Sequence, residues 1–115
     1  MRVTRFEDAP AYQAPNHFDV RSLRLQGFSE GGPRGFWVGL SHFLPRGGAG
    51  PDSSPLEKVY VVIAGQLVVR AGGEEVVLQA FDSCTIPGGE MREVLNVSNS
   101  VATLLVVMPY PPETA

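Results

Sequence analysis

The chain has 115 residues and a formal net charge of −3; 43% of its residues are hydrophobic and 18% are charged. This length suits one domain and leaves too little chain for a second core, so we expect a single domain over residues 1–115. No apolar run approaches the roughly 20 residues that span a bilayer, and the nine basic residues are scattered instead of forming the stripe that binds phosphates. We therefore expect neither a membrane nor a nucleic acid as a partner.

The first residues and the cysteine content indicate the compartment. The opening MRVTRFEDAP is charged and lacks the apolar core of a secretory signal. Cys84 is the one cysteine, so it has no partner for an intramolecular disulfide and cannot contribute to a multi-cysteine zinc site. Both features favour a protein of the reducing cytoplasm.

Short apolar stretches follow an N-terminal arm over 1–19. Thirteen glycines and ten prolines divide stretches rich in Val, Leu, Ile and aromatic residues, and no window sustains a helical period. Glycines at 65 and at 72–73 suit tight hairpin turns. A loop rich in Pro, Gly and Ser is expected over 45–55, and a tail over 109–115 ends the chain. The pattern predicts an all-β sandwich or barrel between 20 and 108, with strands near 20–26, 35–44, 57–63, 66–70, 74–78, 83–86, 91–97 and 101–108.

Two stretches carry a family resemblance. The stretch PRGGAGPDSSPLEKVYVVIAGQLVV, residues 45–69, resembles the first cupin motif, and FDSCTIPGGEMREVLNVS, residues 81–98, is similar to the second. Four positions fall at the expected spacing: Gly65, Pro87, Gly89 and Asn96. The resemblance implies a cupin-type antiparallel β-barrel, also called a double-stranded β-helix or jelly roll.

The metal ligands of the family are substituted in this chain. The resemblance implies two loop histidines, a glutamate and a third histidine, which here would fall at Asp52, Ser54, Lys58 and Arg92. A transition metal prefers imidazole nitrogens and a carboxylate. Two positive side chains would repel a cation in a pocket of reduced dielectric, and Ser54 is too weak a ligand to compensate. We therefore expect no metal and no other cofactor.

Glu57 and His42 allow an alternative in which other side chains of this chain form a metal site. A slip of one residue in the strand register would turn Glu57 inward in place of Lys58. Separately, His42 shares strand parity with Val38, Leu40 and Leu44 and could face the interior, although a lone inward histidine is more often a hydrogen-bonded core residue. His17, the other histidine, lies outside both motifs.

The substituted positions form a polar cluster that suits an anion. Arg92 is able to grip a carboxylate or phosphate through two parallel hydrogen bonds. The alternative is an internal salt bridge from Arg92 to Asp52 or Glu90. Ser54 would add a hydroxyl to the same end of the barrel.

Lys58 is the sole lysine, since the other eight basic residues are arginines. If it points inward beside Arg92, desolvation and like charge both lower its pKa, which suits a general base or an amine nucleophile. The alternative is a genome that favours arginine, with Lys58 turned outward to pair with Glu57.

Two further residues would line the barrel. Tyr60 shares the face of Lys58 and is either a donor to a developing oxyanion or a barrel-filling aromatic. Cys84 lies on a strand whose positions line the barrel in cupins, and an inert core thiol is favoured over a nucleophile.

Three functions are consistent with these residues. The leading hypothesis is a metal-independent isomerase, lyase or cyclase for a small carboxylate or carbonyl compound, with Arg92 as anchor and Lys58, Asp52 or Tyr60 moving protons. The second is a module that binds or senses a small ligand without changing it. The third is a metal-dependent dioxygenase or isomerase whose site uses His42, Asp52 or Glu57. Outward apolar positions near 59–63 also predict a homodimer.

Overall fold

The computed structural model describes residues 1–112 and consists almost wholly of antiparallel strands. A short 3-10 helix, Phe6–Asp8, precedes nine strands: β1 (Ala11–Tyr12), β2 (His17–Gln26), β3 (Trp37–Asp52), β4 (Lys58–Ala64), β5 (Gln66–Ala71), β6 (Glu74–Gln79), β7 (Ser83–Ile86), β8 (Arg92–Leu95) and β9 (Ala102–Met108). Within the described residues, no helix has the length and apolar character needed to cross a bilayer. The predicted all-β fold is confirmed.

The strands join into one curved sheet. The order is β6-β5-β8-β3-β9-β4-β7, with β2 paired to β3 and β1 paired to β2. Strand β3 belongs to both halves, since residues 37–43 pair with β9 and residues 48–52 pair with β8. The irregular stretch between these pairings turns the sheet, which produces an almost closed antiparallel β-barrel.

Strand β3 is the main departure from the predicted elements, because a loop was expected over 45–55. A Cβ at Gly47 would lie 2.3 Å from the carbonyl oxygen of Asp19, and a Cβ at Gly48 would lie 2.7 Å from a methyl of Leu95. The glycines therefore let β2 and β8 approach the β3 backbone closely, and the segment extends as strand. Part of the predicted arm is also strand, since β1 and the start of β2 precede residue 20.

Strand β4 alternates between the two sides of the barrel wall over residues 58–63. Lys58, Tyr60 and Val62 are buried, whereas Val59 and Ile63 are each 38% exposed. Pairing with β7 on one side and β9 on the other holds this register. The alternation follows the period of two in an extended chain, so the side chain of Lys58 is turned into the barrel.

Asn96 follows β8 directly and is buried in the barrel. Its side chain is 1% exposed, and its amide nitrogen donates to the carbonyls of Phe43 at 3.0 Å, Leu44 at 3.2 Å and Ser100 at 2.8 Å. Its amide oxygen accepts from the backbone N–H of Ser98 at 3.0 Å. This motif residue is thus a structural clamp for the turn after β8.

The C-terminal tail returns across the loop between β2 and β3. The hydroxyl of Tyr110 donates to the carbonyl of Pro33 at 2.6 Å. Its ring stands edge-on to Phe28 with centroids 5.1 Å apart. The tail was predicted over 109–115, and residues 113–115 of it lie outside the described part of the chain.

Candidate functional site

A cavity of about 430 Å³ lies inside the barrel, a volume within the usual range of small-molecule sites. Its deeper wall is apolar and includes Phe43, Val94, Leu104 and Val106. Its polar wall combines side chains from β2, β3, β4 and β8 with one from the segment between β3 and β4. The polar residues that the argument uses are His17, Asp52, Ser54, Lys58, Tyr60 and Arg92.

Lys58 opens β4 and reaches the cavity. It is 5% exposed, whereas its neighbour Glu57 lies on the surface. The structure therefore decides the register question, because the lysine and not the glutamate faces the interior. Burial lowers the pKa of Lys58, and the nearby positive charge of Arg92 lowers this pKa further.

Arg92 opens β8 between Asp52 of β3 and Ala71 of β5. It is 8% exposed, and its Nε and Nη1 are buried without a hydrogen-bond partner. Both ion pairs found among residues 1–112 belong to Arg70 instead, with Glu75 and Glu93. The salt bridge from Arg92 to Asp52 or Glu90, considered as an alternative above, is therefore not formed.

Asp52 and Ser54 make local contacts beside the two cations. The carboxylate of Asp52 accepts from the amide nitrogen of Asn16 at 3.0 Å and from the backbone N–H of Ser53 at 2.8 Å. These hydrogen bonds, with the Asn16 bond the larger cause, hold the pKa of Asp52 below its usual value. The hydroxyl of Ser54 accepts from the backbone N–H of Leu56 at 3.1 Å.

Tyr60 supplies a hydroxyl deeper in the cavity. Its side chain is 4% exposed, and burial raises its pKa to about 12. A phenol with that pKa stays protonated at any physiological pH. Tyr60 is therefore able to donate a hydrogen bond to a bound oxygen and unsuited to act as a base.

His42 points away from the cavity, which corrects the inward orientation considered from the sequence. On this part of β3 the buried residues are Trp37, Gly39, Ser41 and Phe43. His42 lies on the opposite side of the strand, which faces away from the barrel interior. Its Nδ1 lies 3.2 Å from Thr103 Oγ1 and its ring stands edge-on to Phe6. Parity alone does not reveal which face of a strand is buried.

Glu57 and Cys84 also lie outside the cavity lining. Glu57 borders a separate surface depression beside β4. Cys84 is half-buried and packs against the hydrophobic core, and burial raises the pKa of its thiol. A thiol with a raised pKa is a poor nucleophile, which agrees with the favoured interpretation of an inert core residue.

His17 lines the cavity, although the sequence offered no motif for it. Its Nδ1 lies 2.7 Å from the carbonyl oxygen of Pro15, and β2 brings it opposite Ala49 of β3. Burial lowers the pKa of His17; the carbonyl contact opposes this effect, and the positive charge of Arg92 adds to it. Only the pairing of β2 with the unexpected part of β3 would have revealed this position.

The donor set at the family's metal position does not fit a metal ion. Of the four side chains there, only Asp52 is a usual ligand, and Lys58 and Arg92 carry positive charge that repels a cation. Across residues 1–112, no three histidine, cysteine, aspartate or glutamate side chains are grouped so as to hold a metal.

Comparison with known proteins defines the class of this barrel. The family model described as "Cupin domain" matches residues 39–108. The chain belongs to the cupin family.

A curated relative and several solved structures are similar to the chain. It is 44% identical over 111 residues to a Mycobacterium tuberculosis (strain ATCC 25618 / H37Rv) protein named Beta-D-galactosidase Rv1717, covering 96% of each chain. The polyketide cyclase RemF of Streptomyces resistomycificus aligns with a TM-score of 0.83 at 19% identity, over 95% of this chain and 79% of that one. KdgF from Halomonas sp. aligns with a TM-score of 0.78 at 11% identity, over 96% of both chains. At these identities the structural alignments show the fold alone.

Proposed function

We propose that this cupin binds a small organic anion in its barrel and converts it without a metal ion, as an isomerase, lyase or cyclase of a carboxylate or carbonyl compound. One observation carries the proposal. Lys58 and Arg92 are both more than nine-tenths buried in one cavity, and neither forms an ion pair within the described residues.

Buried charges of like sign require an explanation. Removing an ion from water costs several kcal/mol even after the protein relaxes, and proteins normally offset that cost with an opposite charge. Here Asp52 is engaged by Asn16 and Ser53, while Nε and Nη1 of Arg92 have no acceptor. A carboxylate or phosphate would supply the missing acceptors and charge, which supports an anionic ligand.

The remaining polar groups suit proton transfer next to such an anchor. Tyr60 would donate its hydroxyl to an oxygen that gains negative charge during the reaction. Lys58, whose pKa is lowered, would act as a general base or as an amine nucleophile. Asp52, ionised at neutral pH, would accept or return a proton near the ligand.

Anion binding is measured directly by calorimetric titration with oxalate, pyruvate and inorganic phosphate. We expect at least one of these anions to bind the wild-type protein. Arg92→Met should weaken that binding about 30-fold or more, since truncating one partner of a buried charge pair costs ~2 kcal/mol or more. Arg70→Met is the matched control, because Arg70 is exposed on the outer wall. Equal affinities for Arg92→Met and wild type would refute the anchor role.

The sole lysine makes the amine role separable from simple binding. A Schiff base between Lys58 and a carbonyl ligand releases water, and borohydride reduces the imine to a stable secondary amine. Incubation with pyruvate and borohydride should add mass to the peptide that carries Lys58, and Lys58→Met should remove the adduct. A wild-type protein that binds pyruvate and stays unmodified would leave Lys58 as a base or a binding group.

Hydrolysis of a β-galactoside is the second candidate, favoured by the relative that is 44% identical. Most glycosidases use two carboxyl groups, and Asp52 is the one carboxylate among the described residues that line this cavity. Another group would have to serve as the acid. Release of nitrophenol from nitrophenyl β-D-galactoside by the wild type, abolished in Asp52→Asn, would establish this function over the first.

A further inference from the structure

We propose that His17 is a further general base of the cavity beside Lys58, with its Nδ1–H held by the carbonyl of Pro15 and its Nε2 free to take a proton from the bound ligand. The inference rests on the proposed function and adds to it a residue outside both cupin motifs. It is carried by a hydrogen bond, by the position of the ring and by the charges around it.

The hydrogen bond decides the tautomer. Nδ1 of His17 lies 2.7 Å from the carbonyl oxygen of Pro15, and a carbonyl oxygen only accepts hydrogen bonds. Nδ1 must therefore carry a proton. In the neutral ring Nε2 is then unprotonated, with its lone pair available as a base.

His17 lies in the wall of the cavity that would hold the ligand. His17 is half-buried and lines the cavity together with Lys58, Tyr60 and Arg92. The first residue of β2 is held at this place by pairing with Ala49. Because Pro15 precedes it by two residues, the same short segment both positions the imidazole and supplies the carbonyl that orients it.

The surrounding charges keep the imidazole neutral. Burial lowers the pKa of His17, and the positive charges of Arg92 and Lys58 lower it further, whereas the Pro15 carbonyl and the negative charge of Asp52 raise it by less. Because its pKa is lowered, the imidazole becomes protonated only at a lower pH than a free histidine, whose pKa is about 6.5. At neutral pH the free base therefore predominates.

The proton transfer balances within the cavity. Nε2 takes a proton from a carbon next to the ligand's carbonyl group, and the electron pair of that C–H bond stays on the ligand as an enolate. The enolate oxygen accepts the hydroxyl hydrogen bond of Tyr60. The imidazolium then returns the proton to a second carbon in an isomerase, or to a leaving group in a lyase.

Long-range proton–nitrogen NMR tests the base, because His17 and His42 are the two histidines of the chain. His17→Asn assigns the signals and keeps a side-chain donor for the Pro15 carbonyl. At pH 7 we expect His17 to be neutral with its proton on Nδ1, and to titrate below about 6.5. A proton on Nε2, or a charged ring at pH 7, would overturn the proposal.

Chemical reactivity reports whether Nε2 of His17 is unprotonated and accessible from the cavity. Diethyl pyrocarbonate attacks an unprotonated, accessible imidazole nitrogen, so His17 should be modified at pH 7, as located by peptide mass. Absence of modification at His17 would mean that Nε2 does not face the cavity and would refute the role. His42→Asn is the control and should leave modification of His17 unchanged.

Added oxalate or phosphate separates this inference from the proposed function. An anion between Arg92 and Lys58 cancels part of their positive charge, so the titration midpoint of His17 should rise and its modification should slow. Arg92→Met should remove both effects. If His17 shows the expected tautomer and reactivity but no anion changes either, the base is supported and the anion-binding proposal is contradicted.

Discussion

Replacing Lys58 with methionine should make the protein more stable in the absence of its ligand. Methionine keeps the buried apolar stem and removes the charge. Both side chains line one cavity of about 430 Å³, and burial together with the positive charge of Arg92 lowers the pKa of Lys58, so the two like charges repel each other. At an effective dielectric constant of about 20, repulsion over ~10 Å amounts to ~1.7 kcal/mol, and Lys58→Met also removes the cost of burying the ammonium.

The expected gain in the free energy of unfolding is therefore at least about 2 kcal/mol. With an unfolding entropy of ~2.1 cal/mol/K per residue, each kcal/mol raises Tm by about 4 °C for this length, so Lys58→Met should raise Tm by about 8 °C or more. Thermal unfolding followed by circular dichroism, in a buffer without carboxylates or phosphate, measures the change. Arg70→Met, which removes an exposed arginine, is the control and should not raise Tm. A lower Tm for Lys58→Met would show that the lysine is already compensated and would refute the reasoning.

Other substitutions and conditions test other parts of the account. Gly50→Ala should lower Tm and weaken oxalate binding, because the new Cβ would lie 2.4 Å from the carbonyl oxygen of Arg92 and 3.2 Å from Nη1 of Arg92. Gly73→Ala is the control. Gly73 has a similar positive φ, but no atom lies within 4 Å of its Cβ position, so the substitution should affect stability alone. In an absorbance titration of the tyrosines, Tyr60 should ionise near pH 12. Tyr60→Phe should therefore leave the titration curve unchanged below pH 11. A smaller absorbance change below pH 11 in Tyr60→Phe would contradict the burial of Tyr60. Asn96→Asp should cost about 1–3 kcal/mol by urea unfolding, since carbonyl oxygens lose their donor, and an unchanged midpoint would contradict the clamp. Light scattering should show a dimer, because the outward face of β4 is partly exposed and apolar; a monomer at micromolar concentration would contradict it.

The fold was predictable because its signals are local. Glycine and proline positions marked the hairpins, and the spacing of Pro87, Gly89 and Asn96 resembled a known family. Strand β3 was cut short in the prediction because 45–52 is rich in glycine and proline, residues that usually indicate a loop. Its strand conformation depends on contacts with β2 and β8, which are distant in sequence.

The candidate site was predictable where strand alternation was enough. Lys58 and Tyr60 are two residues apart on β4 and share the inward face, as expected. His42 shows the limit, because alternation groups residues on a face without identifying the buried one. His17 was missed for a different reason. It enters the cavity through a pairing with the segment taken for a loop.

We expect two cations and a bound anion to occupy the place where cupins hold a metal. A crystal of protein purified without chelators and soaked in selenate tests it, with anomalous scattering recorded for selenium and an X-ray fluorescence scan for manganese, iron, nickel and zinc. We expect a selenium peak beside Lys58 that marks a selenate whose oxygens accept hydrogen bonds from the Arg92 guanidinium, with no transition metal in the cavity. A metal ion coordinated by Asp52, or selenate bound elsewhere while the cavity stays free of it, would contradict the account.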